Sequence, residues 1–371
     1  MTPFDSRFWR DFDWALALVP IVLVCFGTVF IFSSQPEETY WKRQLMFMAL
    51  GIVSMAVFAL TDYRKWLQFA PFFYGAALVG LIAVLVFGSV VNGARAWIRI
   101  GAFGLQPSEI AKLATILMLA RFLAQPRRGA LTLREIAIAG GIVSLPVGLI
   151  LLQPDMGTAL TFFPVLLTML FLSGLRKRML AIAVAGAVVG VVLAWGFVLK
   201  TYQKERIQMA VMLMAGDTDQ VSRQQKRAQG YQSIQSMIAV GSGGTFGKGV
   251  LQGTQGRLGF LPERHTDFIA SIVAEETGFA GAIAMLLLYG AVVWRLTGIA
   301  KLSADRFGSL AVMGLAALLG FHIFVNLGMV LGLMPIMGIP LPLLSYGGSS
   351  LLMMFMGFGL ALSVRLRRFV N

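Results

Sequence analysis

Charge is scarce in this sequence. Only 13% of its 371 residues are Asp, Glu, Lys or Arg, roughly half the share usual in a soluble domain. Cysteine is nearly absent. Cys25 stands alone in an apolar run, which excludes a disulfide framework. Histidine occurs only at His265 and His322, distant in sequence and without a cysteine cluster, so there is no zinc signature. No internal repeat is visible, which weighs against transporter folds built from two repeated halves. A soluble basic face for nucleic acid is missing too, although the net charge is +14.

What fills the chain is apolar. Hydrophobic residues make up 57%, and the mean hydropathy is +0.78. A disordered chain is polar, and a soluble fold of this size has too little interior to hide so much apolar surface. The class left is an all-α polytopic membrane protein, expected as a single membrane domain over 1–371. A span needs roughly 20 mostly apolar residues. Ten stretches qualify: 14–33, 44–60, 70–90, 107–124, 135–152, 156–173, 179–199, 268–294, 308–332 and 346–364. The first is too long for a cleaved leader and reads as an uncleaved anchor.

Basic residues set the orientation. With the N-terminus inside, the inner segments carry 17 Lys/Arg and the short outer loops carry 4. Both termini are therefore expected in the cytoplasm, and the basic excess meets anionic lipid headgroups. The segment 200–267 falls outside and is too long to be a mere connector. Loops of that kind carry function.

A charge at the bilayer centre costs about 2.5–3.5 kcal/mol on insertion scales, so each one asks for a partner or a purpose. Gln106-Pro107-Ser108-Glu109-Ile110-Ala111-Lys112 opens the fourth span. Glu109 and Lys112 share a helix face, either as a self-neutralising pair or as the polar wall of a water-filled cavity. Asp155 follows Pro154 at the start of the sixth span, where it is a helix cap or a site residue. Arg95 and Arg99 lie in an outer loop beside Trp97. They either anchor at headgroups or bind an external phosphate, a role that fits the fork of Arg95.

Eight glycines crowd 241–259. Gly247-Lys248 resembles a phosphate loop only faintly, since Gly249 follows where Ser or Thr is required. The expectation is a flexible loop whose backbone approaches a ligand closely. Tyr231, Ile234, Met237 and Ile238 recur at helical spacing ahead of it, as an amphipathic helix on the outer leaflet or one packed on the core. In Pro262-Glu263-Arg264-His265-Thr266-Asp267, Asp267 stands at the mouth of the eighth span. A partly desolvated carboxylate there is suited to accept a proton; the plainer reading is an N-cap bridged to Arg264. His265 orders this loop, whereas His322, inside the ninth span, reads as a hydrogen-bonded interior residue.

The stretch Asn326–Ser350 is interrupted by prolines and rich in small residues. It resembles the signature of the SEDS family, the shape, elongation, division and sporulation proteins. The resemblance covers essentially the whole chain, through Gln106–Lys112, Gln153–Thr158, Tyr231–Lys248 and Pro262–Ile269. Ten spans with a large loop between the seventh and eighth fit it too. Within the family, the Pro262–Asp267 run and the short cytoplasmic ends are more similar to elongation-type than to division-type members.

The resemblance implies a multi-pass enzyme of the bacterial cytoplasmic membrane that polymerises lipid II into glycan strands for elongation and rod shape. The transfer would invert the anomeric carbon and release undecaprenyl diphosphate. It makes Asp267 the essential aspartate and a class B penicillin-binding protein of the elongation machinery the partner. Arg95, Glu109, Lys112, Asp155, Lys248, His265 and Ser345 are expected to bind substrate or diphosphate or to line its cavity. A divalent cation such as Mg or Mn would suit the diphosphate, but no ligand set for a metal is visible. The competing readings are a lipid II flippase, a division-type polymerase and a scaffold for the transpeptidase.

Overall fold

The structure is a computed structural model that describes residues 10–91, 94–100, 103–126, 129–176 and 228–368, with 178, 179, 181, 204, 208 and 211 between the last two stretches. Helices α1 (Trp14–Ser34), α2 (Tyr40–Leu60) and α3 (Tyr63–Phe87) lead into a small antiparallel sheet of β1 (Ser89–Val91), β2 (Ala94–Ile100) and β3 (Phe103–Leu105). Then follow α4 (Pro107–Leu123), α5 (Leu133–Leu152), α6 (Met156–Leu160), α7 (Phe162–Leu172), α8 (Ala228–Ser242), α9 (Thr254–Arg257), α10 (Ile269–Lys301), α11 (Arg306–Val330) and α12 (Gly348–Leu366).

Seven of these helices are long and apolar enough to cross a membrane. The expected seventh span, 179–199, and the loop residues 200–227 lie outside the continuously described stretches. The chain is thus a multi-pass helical membrane protein. The sheet is an addition to the expected architecture. It occupies the loop 90–106, expected on the outer side, where the alternation Arg95, Trp97, Arg99 puts three side chains on one face of β2.

Helix starts follow local chemistry. Asp13, Asp62, Asp155 and Asp305 each cap a first turn with a carboxylate oxygen. Thr132 and Glu135 form a capping box at α5. Pro107 occupies the first turn of α4, where its missing N–H is harmless. α4 is buried along most of its length, α2 packs along α12, and α10 lies against α1 and α11.

α10 is broken at Gly278, with φ 66° and ψ −161°. A broken helix in a membrane leaves backbone groups that only the protein can satisfy. The glycine-rich segment does so. The amides of Lys248 and Gly249 donate to the carbonyls of Glu275 and Glu276 at 3.0 Å each. Those of Phe279 and Ala280 donate to Gly244 and Thr245 at 2.9 and 3.0 Å. At Gly247 φ is +79°, and a Cβ would strike the carbonyl of Glu276. A close backbone approach, expected of this glycine-rich loop toward a ligand, is made at Gly243 and Gly247 to α10.

α8 docks beside this segment. Ser233, Ser236 and Ala239 are its buried face, and Ser236 Oγ reaches Ser271 Oγ at 2.7 Å and the Val330 carbonyl at 2.8 Å. Small residues allow that close helix packing. The apolar stripe faces partly outward, with Ile238 exposed.

Candidate active site

Asp267 ends a turn in which the amides of Thr266, Asp267 and Phe268 all donate to the Glu263 carbonyl, at 3.3, 3.1 and 3.3 Å. The residue is half-buried. Three contacts from other elements fix this turn. Ser345 Oγ donates to the Thr266 carbonyl at 2.6 Å and accepts from the Leu341 amide at 2.8 Å. The Tyr346 amide donates to the His265 carbonyl at 2.9 Å. Asn326 Nδ2, on α11, donates to the carbonyls of Asp267 and Ile339, both at 2.9 Å.

The backbone of Gly338, at φ +68°, passes so close that a Cβ there would lie 3.8 Å from Asp267 Oδ2. The His265 ring stacks on Tyr40 with centroids 4.4 Å apart and planes 14° from parallel, and Tyr346 lies against Tyr40 at 4.9 Å. Burial holds the His265 pKa below its ordinary value, despite Glu263 and Glu38 nearby, and burial also lowers that of Arg264.

The ion pair at α4 forms as the helical spacing requires, with Lys112 Nζ 2.7 Å from Glu109 Oε1 and both side chains buried. Glu109 Oε2 has no hydrogen-bond partner among the described residues. Lys112 Nζ also lies 3.3 Å from His322 Nε2, and His322 Nδ1 lies 3.2 Å from the Pro340 carbonyl.

Asp155 caps α6, accepting from the Thr158 amide at 3.0 Å and from Thr158 Oγ1 at 2.8 Å, and Gln106 Nε2 approaches it at 3.3 Å. Gln106 N in turn donates to Ser349 Oγ at 3.0 Å. Gly157 meets the backbone of Met337, too closely for any Cβ. The segments 106–112, 153–158 and 262–267, separate in sequence, thus converge on 337–349, the stretch that leads into α12 and its first turn.

Two of the residues expected to bind substrate or diphosphate or to line its cavity also make contacts within the protein. Arg95 Nη1 donates to the Leu85 carbonyl at 3.1 Å, which satisfies a carbonyl of the last turn of α3, while the side chain stays exposed. Lys248 Nζ sits 2.6 Å from Glu275 Oε1 and 3.0 Å from Thr254 Oγ1. Glu275 also accepts from the amides of Thr254 and Gln255, at 2.8 and 3.1 Å. Glu276 accepts from Ser33 Oγ at 2.5 Å. These contacts tie α9 and its loop to α10 and α1.

Gln44 was not singled out by the sequence. Its Nε2 donates to the Ser345 carbonyl at 3.1 Å and it is fully buried. A lone amide at the head of an apolar span was the available signal. Among the described residues no group of three or more His, Cys, Asp or Glu side chains is placed to hold a metal ion.

Asp267 is thus a half-buried carboxylate just ahead of α10, on a turn held by Ser345, Tyr346 and Asn326 within a bundle of apolar helices. Residues 12–368 match the family model described as cell cycle protein, which groups FtsW, RodA and SpoVE. The chain belongs to this family, the SEDS proteins.

It is 37% identical to peptidoglycan glycosyltransferase MrdB of Escherichia coli strain K12, over 99% of this chain and 97% of that one. A solved chain from a peptidoglycan synthase complex, described as coordinating polymerization and crosslinking, superposes with a TM-score of 0.81 at 35% identity, covering 97% of this chain and 99% of that one. The rod shape determining protein RodA of Thermus thermophilus superposes with a TM-score of 0.72 at 32% identity, covering 97% and 98%.

Proposed function

We propose that this protein is a peptidoglycan glycosyltransferase of the elongation type, polymerising lipid II at the outer face of the bacterial cytoplasmic membrane. The observation that carries the chemistry is Asp267: a half-buried carboxylate on a turn braced by Ser345, Tyr346 and Asn326. Full-length similarity to glycosyltransferases supports the substrate class.

The acceptor sugar hydroxyl attacks the anomeric carbon of the donor while its proton passes to the Asp267 carboxylate. The bond from that carbon to the diphosphate oxygen breaks, and undecaprenyl diphosphate leaves with its electron pair. One displacement inverts the anomeric centre. The leaving group already carries the energy of the bond, so no nucleotide is needed. Developing charge on the diphosphate calls for a cation. Arg264, on the same turn as Asp267 and half-buried, suits that role, and Arg95 and Lys112 are the further candidates. A class B penicillin-binding protein is the partner that would crosslink the product. Both termini face the cytoplasm in this reading.

Purified protein, alone and with that transpeptidase, incubated with lipid II tests the proposal. Glycan polymer that disappears in Asp267→Asn, with membrane insertion intact, is the expected result. Translocation of lipid II without polymer would favour the flippase, and wild-type turnover by Asp267→Asn would remove Asp267 from the mechanism.

A further inference from the structure

His322 lies deep in α11, 1% exposed, and both of its ring nitrogens are engaged. Lys112 Nζ is an ammonium in its pair with Glu109 and has only protons to offer. Nε2 of His322, 3.3 Å away, therefore accepts. That assigns the ring proton to Nδ1, which donates to the Pro340 carbonyl at 3.2 Å.

Pro340 belongs to a stretch without regular secondary structure, between Pro335 and Pro342. No helix or sheet orients the carbonyls of Ile339 and Pro340, and side chains hold them instead. His322 holds the carbonyl of Pro340, and Asn326, one turn further along α11, holds that of Ile339. From Pro340 the path to the base is short. The next residue, Leu341, donates through its amide to Ser345 Oγ, which donates to the carbonyl of Thr266, the neighbour of Asp267. Asn326 closes a second path directly to the Asp267 carbonyl.

We infer that His322 is a positioning residue for the transfer reaction: through the Pro340 carbonyl it sets the loop on which the Asp267 turn rests and ties that loop to the Glu109–Lys112 pair. The inference rests on the polymerase reading above. A packing residue would need only an apolar ring at this position. A positioning residue needs the Nδ1 proton, and a misplacement near 1 Å at a reacting group can lower a rate by about a hundredfold.

The test compares steady-state polymerisation by the purified full chain carrying His322→Phe, His322→Asn or His322→Gln. Asparagine places an N–H close to the position of Nδ1. Glutamine reaches toward Lys112 and gives up the bond to Pro340. Expected are a fall in kcat of about tenfold or more in the Phe variant with KM for lipid II unchanged, most of that loss recovered in Asn, and little recovered in Gln.

A Phe variant that turns over within about twofold of wild type overturns the inference, as do Asn and Gln variants of equal activity. Should the Phe variant fail to insert, the Asn and Gln pair decides alone by the same comparison. Absence of polymer from the wild type would remove the polymerase reading and this one with it; differences confined to the variants bear on His322 only.

Discussion

Ser345 Oγ donates to the Thr266 carbonyl at 2.6 Å, across 79 residues of sequence. The same oxygen accepts the amide of Leu341. One small hydroxyl thus joins the proline-interrupted loop to the turn that carries Asp267. Its proton and one of its lone pairs are used inside the protein, so beside its expected place among the substrate or cavity groups it serves, in the present proposal, as a brace behind the base.

Ser345→Ala leaves the Thr266 carbonyl and the Leu341 amide without this partner in a buried setting. The expected cost is about 1–3 kcal/mol of stability, with a lower kcat for polymerisation. Thermal melting and initial rates measure both. Unchanged turnover would mean that the remaining contacts from Tyr346 and Asn326 hold the turn unaided.

Glu109 and Lys112 should behave as a unit. Either single change to Ala leaves a buried charge unpaired, which costs about 3–5 kcal/mol. The double change should be less damaging than the sum of the singles. A thermal-melt cycle reads the coupling, and strict additivity would show that the 2.7 Å pair contributes nothing.

His265 makes stability depend on pH. Burial depresses its folded-state pKa below the unfolded value, so the neutral ring is favoured in the fold. Its contribution is present above the unfolded pKa, near 6.5, and is lost as pH falls through the lower folded value. The melting temperature should decline on that acid side. His265→Phe keeps a flat ring against Tyr40 and should melt with a shallower acid decline. Parallel profiles would assign the decline to other groups.

Topology is open to a chemical test at Ser242, an exposed residue at the end of α8. In a Cys25→Ser background, Ser242→Cys is expected to react with a membrane-impermeant maleimide added to intact spheroplasts. Labelling only after the membrane is broken would put this segment in the cytoplasm, and the outer-face polymerase reading would fall.

Membrane class and most span positions were legible because apolar burial in lipid acts on each helix by itself. A run of roughly 20 apolar residues must span wherever its neighbours lie. The Glu109–Lys112 pair was legible for a similar reason, since a helix places residues three apart on one face. Asp155 as a cap and Asp267 at the head of α10 are likewise local features.

The intramolecular contacts of Lys248, Ser345, Gln44 and the glycines of 241–259 were not legible. Each depends on a partner far away in sequence: Glu275, Thr266, the Ser345 carbonyl and the broken turn at Gly278. Composition alone cannot tell a glycine that admits a ligand from one that admits a helix. The sequence by itself determined the membrane class, the helices and the charges too costly to be idle, because hydropathy, capping and helical periodicity are short-range. Only the tertiary structure decided which carbonyl each polar side chain holds, because an unsatisfied backbone group in a membrane protein takes its partner from whatever packing brings within about 3 Å.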